Sequence, residues 1–189
     1  ENLQELVVGS SVEEIGNSAF EYCENLKSVT LPDTLKKIED TAFYHVGITK
    51  IDIPKGLTEL PECAFSGSML ESVTIPGNIK TIGEYAFISC ENLQKIIISD
   101  GVENIGAAAF RGCGINTVEV PESVKNIRED AFSYCSNLKS VTLPEGLTSI
   151  SKYCFRNTGL ESIIIPDSVT EIGGSAFRGC QNLKRIEIP

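Results

Sequence analysis

The sequence predicts a solenoid of the α/β or mainly β class. Its coils are 22–23 residues long, with one parallel sheet on the concave face and short helical or 3₁₀ turns and extended segments elsewhere. Three observations predict it. An aliphatic position recurs every 22 or 23 residues, at Leu3, Leu26, Ile48, Leu70, Leu93, Ile115, Leu138, Leu160 and Leu183. All eight phenylalanines fall in one register behind it, seven of them directly after Ala. A period-two aliphatic pair, usually closed by Pro, holds a third fixed place in the unit. Units this short have no room for a strand plus a long helix. They cannot bury an apolar face alone, so they must stack.

Each unit opens with its strand. Val29/Leu31, Ile51/Ile53, Val73/Ile75, Ile96/Ile98, Val118/Val120, Val141/Leu143 and Ile163/Ile165 alternate with polar neighbours. Period two marks a strand with one buried face. Pro32, Pro54, Pro76, Pro121, Pro144 and Pro166 end these strands, because Pro cannot donate to a ladder. Aliphatics spaced by three follow, as in Leu35/Ile38, Val102/Ile105 and Leu147/Ile150. A Gly or polar residue then leads into Ala-Phe, where a single helical or 3₁₀ turn is expected. The one-residue length change falls just before the leading aliphatic, in a loop that alternates between Cys-x-Asn-Leu and Gly-Ile or Gly-Leu.

The chain therefore reads as a single solenoid domain over residues 1–189. Eight complete units start near 3, 26, 48, 70, 93, 115, 138 and 160, and a ninth strand occupies 183–189. It opens at Glu1 without Met or a leader pattern and stops at Pro189 with no polar cap. We expect it to be a fragment of a longer protein.

Lys plus Arg is 16 and Asp plus Glu is 26, a formal net charge of −10. That balance argues against nucleic acid, which needs a basic footprint, and against an anionic membrane surface. No stretch approaches the roughly 20 apolar residues of a membrane span. Seven cysteines are too few for a disulfide scaffold. Cys23, Cys90, Cys113, Cys135 and Cys180 each lie three residues after the repeat Phe, a slot shared with Val46, Ser68 and Thr158. No C-x-x-C pair or His cluster provides a zinc spacing. The slot reads as a small buried position, and free thiols are expected. His45 is the single histidine, with no repeat-placed nucleophile beside it. Gly83, Gly106, Gly173 and Gly174 lie in the turn before Ala-Phe and lack the following Lys-Ser/Thr of a phosphate loop. No catalytic, metal-binding or cofactor-binding residue emerges, and no cofactor is expected.

The repeat L-x-x-V-x-L-P-x-x-V-x-x-I-x-x-x-A-F-x-x-C-x-N-L resembles the BspA-like leucine-rich repeat over essentially the whole chain. It departs from that pattern where Gly9 and Ser99 replace Pro, Cys154 replaces Ala, and Val46, Ser68 and Thr158 replace Cys. The resemblance implies a leucine-rich-repeat solenoid. It also implies a bacterial, sometimes protist, surface or secreted protein that binds host or microbial proteins without catalysis.

The candidate partner surface is the outward side of the strands. Its rows include Lys50, Asp52, Ser72, Thr74, Lys95, Ile97, Thr117, Glu119, Ser140, Thr142, Ser162 and Ile164. They vary in character while the inward rows stay aliphatic. They carry no aromatic residue, so neither sugar stacking nor a Tyr/Trp anchor is evident there. A second feature is an acidic edge after the strands, at Asp100, Glu122, Glu145 and Asp167. It reads either as a solvated edge or as a ridge attracting cations or a basic partner. The competing functional readings are an interaction or adhesion module and a structural spacer within a longer surface array.

Overall fold

The computed structural model describes residues 2–188, and they form a right-through stack of eight coils with a ninth strand. The longer strands are Glu5–Val7, Ser28–Thr30, Ser72–Ile75, Lys95–Ile98, Thr117–Glu119, Ser140–Thr142, Ser162–Ile164 and Arg185–Glu187. Neighbours pair in parallel at the repeat offset, for example Leu6 with Val29, Val73 with Ile96, Val118 with Val141 and Ile163 with Ile186. The ladder breaks at the third coil. There Ile51 and Ile53 keep their inward burial while residues 50–53 are not paired as a strand.

One parallel sheet was the expectation; the structure contains two ladders. Two-residue strands at Glu14–Ile15, Lys37–Ile38, Glu59–Leu60, Thr81–Ile82, Asn104–Ile105, Asn126–Ile127, Ser149–Ile150 and Glu171–Ile172 build the second. Each is too short to display a period-two pattern, so this ladder leaves no periodic signal in the sequence.

The expected helical or 3₁₀ turn at Ala-Phe is also corrected, since no helix of any kind occurs among the described residues. The hydrogen bonds show why. From Tyr85 to Cys90, successive N–H groups donate alternately to the next coil and within their own. Tyr85, Phe87 and Ser89 donate to the carbonyls of Ala107, Ala109 and Arg111, at 2.7–2.9 Å. Ala86, Ile88 and Cys90 donate three residues back to Gly83, Tyr85 and Phe87. A helix would direct every N–H along its own chain; here half of them tie the coils together. The alternation requires left-handed backbone two residues before and two residues after each Phe. Tyr85 (φ 57°), Ser89 (φ 59°), Tyr153 (φ 59°) and Gly112 (φ 72°) are examples. Such a conformation costs a non-glycine residue about 1–2 kcal/mol, which the inter-coil hydrogen bonds offset.

The eight phenylalanines form one column through the core. Adjacent ring centroids lie 5.4–5.8 Å apart with interplanar angles of 5–16°. Phe43, Phe65, Phe87, Phe110, Phe132 and Phe155 are fully buried. Beside the column runs the cysteine slot. The thiols of Cys90, Cys113, Cys135 and Cys180 donate to the Phe carbonyls of the preceding coils, Phe65, Phe87, Phe110 and Phe155, at 3.0–3.1 Å. Each thiol thus satisfies the second lone pair of a carbonyl that already accepts a bond, from a backbone N–H at Phe65, Phe87 and Phe110 and from the Thr158 hydroxyl at Phe155. All seven cysteines are free. Burial pushes the Cys135 thiol up to about 12 and also raises Cys113 and Cys154.

Candidate functional site: the strand face and the turn ridge

Alternation in the long strands sends Val73, Ile96, Val118 and Val141 inward and leaves their neighbours in solvent. Of the predicted surface rows, Lys50, Asp52, Thr74, Lys95, Ile97, Thr117, Glu119, Ser140, Thr142, Ser162 and Ile164 are exposed, and Ser72 is half-buried. The repeat register sets them side by side. Ser72 pairs with Lys95, Thr74 with Ile97, Lys95 with Thr117, and Glu119 with Thr142.

Two shallow depressions gather eight of these twelve residues. One, of about 300 Å³, is lined by Lys50, Asp52, Ser72 and Thr74, where the strand ladder is interrupted. The other, of about 230 Å³, is lined by Lys95, Ile97, Thr117 and Glu119. Ser140, Thr142, Ser162 and Ile164 continue the surface beyond them. Ile97 and Ile164 are 46% and 66% exposed, so an apolar side chain stands among polar ones at two places. The face therefore presents charge, hydroxyls and isolated apolar contact area on a hydrogen-bonded backbone.

The acidic edge lies elsewhere. Asp100, Glu122, Glu145 and Asp167 are all exposed. Two members of the same row hold the backbone of the following coil. Glu122 accepts from the Glu145 N–H at 3.0 Å, and Asp33 accepts from the Lys55 N–H at 3.1 Å. These carboxylates link coil to coil, a role the row's charge pattern did not disclose. The described residues contain no group of three or more His, Cys, Asp or Glu placed to hold a metal ion.

A groove of about 1000 Å³ runs over coils four to eight, floored partly by Gly83, Gly106 and Gly173. A Cβ at any of the three would come within 2.5–2.6 Å of the preceding coil's backbone, so close stacking of coils excludes a side chain.

The turn ridge carries what sequence reading missed. All five tyrosines and the single histidine lie there, at Tyr22, Tyr44, His45, Tyr85, Tyr134 and Tyr153. Tyr22, Tyr44 and His45 form one cluster, with centroid distances of 4.5–5.5 Å. Tyr134 and Tyr153 belong to another, with Arg111, Lys152 and Arg156 over their rings. The sequence carries the signal: every tyrosine lies within two residues of a repeat Phe.

Repeat length, stacked parallel strands and the Phe column define a leucine-rich-repeat solenoid. The BspA type leucine rich repeat region matches residues 1–116 and 103–189 in six copies, and the chain belongs to this family. Among solved structures, it is similar to a leucine-rich repeat protein from Bacteroides ovatus, at 31% identity and a TM-score of 0.86, over 97% of this chain and 54% of that one. It is similar to a leucine rich cell surface protein from Faecalibacterium prausnitzii, at 32% identity and a TM-score of 0.69, over 98% and 48%. A leucine rich repeat protein from T. pallidum aligns at 27% identity and a TM-score of 0.74, over 97% and 79%. The chain spans about half the length of the first two. No curated protein matches it. No helix among the described residues is long and apolar enough to cross a membrane.

Proposed function

We propose that this chain is a non-enzymatic interaction module of a secreted or cell-surface bacterial protein, and that it binds a partner protein through its exposed strand face. The observation that carries this reading is the strand face itself. Its outward rows change chemistry from coil to coil around two depressions, while the inward rows keep one aliphatic pattern. A rigid ladder presenting varied side chains loses little entropy on binding. Family membership supports the reading, as does the cell-surface description of the F. prausnitzii relative.

The test is a quadruple variant, Lys50→Glu, Asp52→Lys, Ile97→Glu and Glu119→Lys. Fluorescently labelled protein is applied to intact epithelial and bacterial cells and counted by flow cytometry. We expect at least about a tenfold loss of bound protein, equivalent to about 1.4 kcal/mol, with an unchanged Tm. Equal binding by variant and parent refutes the surface. A parent protein that binds neither cell type favours the second reading, a spacer within a longer array, which the half-length coverage of the relatives motivates.

A further inference from the structure

We infer that the turn ridge of the last four coils is a second binding site, separate from the strand face, for a short acidic peptide segment of a partner protein. Three observations on the ridge point there. First, Arg111, Lys152, Arg156 and Arg178 stand on it in a chain of net charge −10. None of them makes an ion pair among the described residues, a state they share with Lys27, Lys50, Lys95, Arg128, Lys139 and Lys184. Second, three of these four cations lie over tyrosine rings. The Arg156 guanidinium lies 5.3 Å from the Tyr134 centroid and 5.2 Å from that of Tyr153. Arg111 covers Tyr134 at 5.1 Å and Lys152 covers Tyr153 at 4.7 Å. Third, Arg156 Nε is buried without a hydrogen-bond partner, the one such side-chain N or O atom among the described residues. Two tyrosine rings flank the guanidinium and no carboxylate pairs with it. Such an arginine is ready for bidentate recognition of one.

The ligand class follows from spacing and sign. Coils recur along the Phe column every 5.5–5.8 Å here, and same-face side chains of an extended peptide recur about every 7 Å. Successive carboxylates of an extended strand therefore reach successive coils. The slot directly after each Phe reads Glu21, Tyr44, Ser66 and Ile88 and then Arg111, Ser133, Arg156 and Arg178, so this row is basic only from coil five on. Three residues before the Phe, Asp40, Glu62 and Glu84 make the earlier coils acidic, and Glu129 places one carboxylate in coil six. A long polyanion such as a sulfated glycan would run on into the earlier carboxylates, whereas a short acidic run is accommodated along the arginine row.

The test is fluorescence anisotropy of a fluorescein-labelled hexaglutamate peptide, with heparin as competitor and as a separate labelled ligand. Variants are Arg111→Ala, Arg178→Ala and Arg156→Lys. The last keeps the charge and removes the planar fork. Lys139→Ala, an exposed cation away from the ridge, controls for net charge. We expect saturable binding weakened about tenfold by Arg111→Ala with Arg178→Ala combined, and about threefold or more by Arg156→Lys. Lys139→Ala should leave it unchanged, and the strand-face quadruple variant should still bind the peptide, which keeps this site distinct from the one proposed above. No peptide binding, equal binding by the ridge variants, or heparin binding more tightly than the peptide through the same arginines overturns the proposal.

Discussion

Replacing Phe110 by Ala removes the middle of the phenylalanine column. Phe110 is fully buried, with Phe87 at 5.4 Å on one side and Phe132 at 5.5 Å on the other. A buried Phe→Ala change costs about 3–5 kcal/mol in transfer and cavity terms. Two ring pairs are lost as well, each worth about 0.5–1.5 kcal/mol beyond area. The neighbours cannot close the gap, because each coil is pinned by inter-coil backbone bonds such as Phe87 N–H to Ala109 and Phe110 N–H to Ala131. We therefore expect a loss of about 4–8 kcal/mol. Phe177 has one ring neighbour, Phe155 at 5.7 Å, and is partly exposed, so Phe177→Ala should cost about 2 kcal/mol. Urea unfolding followed by far-UV circular dichroism measures both. Since a domain of this size has about 5–15 kcal/mol in total, Phe110→Ala should lie near the limit of folding. Equal costs at the two positions, or less than about 2 kcal/mol at Phe110, would refute a continuous load-sharing column.

Four further outcomes follow from the same geometry. Ser89 holds φ 59° at a slot where Gly67, Gly112 and Gly179 also occur, so Ser89→Gly should stabilise by about 0.5–1 kcal/mol and Gly112→Ala should destabilise by about 1 kcal/mol, both read as urea midpoints. Burial holds the Cys135 proton until about pH 12, whereas an unfolded thiol releases it near pH 8.5; stability should thus fall as pH rises from about 8.5 towards 12, and less steeply in Cys135→Ser. At pH 8 the half-buried Cys23 should react with a thiol reagent while Cys135 and Cys154 stay protected, and equal reaction rates would contradict the packed slot. The Lys37 ion pairs with Glu39 and Glu14 hold the Glu39 carboxyl below its ordinary value; their contribution is present at neutral pH and lost as pH falls through the carboxylate range, so Lys37→Met should flatten the acid limb of the stability profile.

The frame was legible because its signals are long-range and periodic. Leu26, Ile48 and Leu70 mark the coil length, and the Val29/Leu31 type of pair marks the inward face of each strand. The second ladder was not legible, because two residues such as Asn104–Ile105 carry no alternation of their own. The turn was misread for a different reason. Ala, Phe and Cys at offsets of one and three imitate helical spacing, while the residues forced into left-handed backbone include Tyr85, Cys63 and Ala108, which do not advertise that conformation. The slot two residues after each Phe carries a partial signal. His45, Gly67, Gly112, Asn157 and Gly179 share it, and Gly, Asn and His are the types that most readily take positive φ, but Tyr22 and Tyr134 hold the same slot and blur the pattern. Of the candidate site, the outward rows followed from alternation alone. The aromatic ridge did not, because its tyrosines are spread over three offsets from the repeat Phe and form no single periodic row.

The strand face as partner surface is tested most directly by placing a photo-crosslinking benzoylphenylalanine at Thr74, at Thr142 or at Thr148, which is exposed beside the second ladder. Each protein is irradiated on intact cells, and adducts are read by gel shift and mass spectrometry. The account predicts one shared adduct from Thr74 and Thr142 and none from Thr148. An adduct from Thr148 with none from the two strand positions would contradict it.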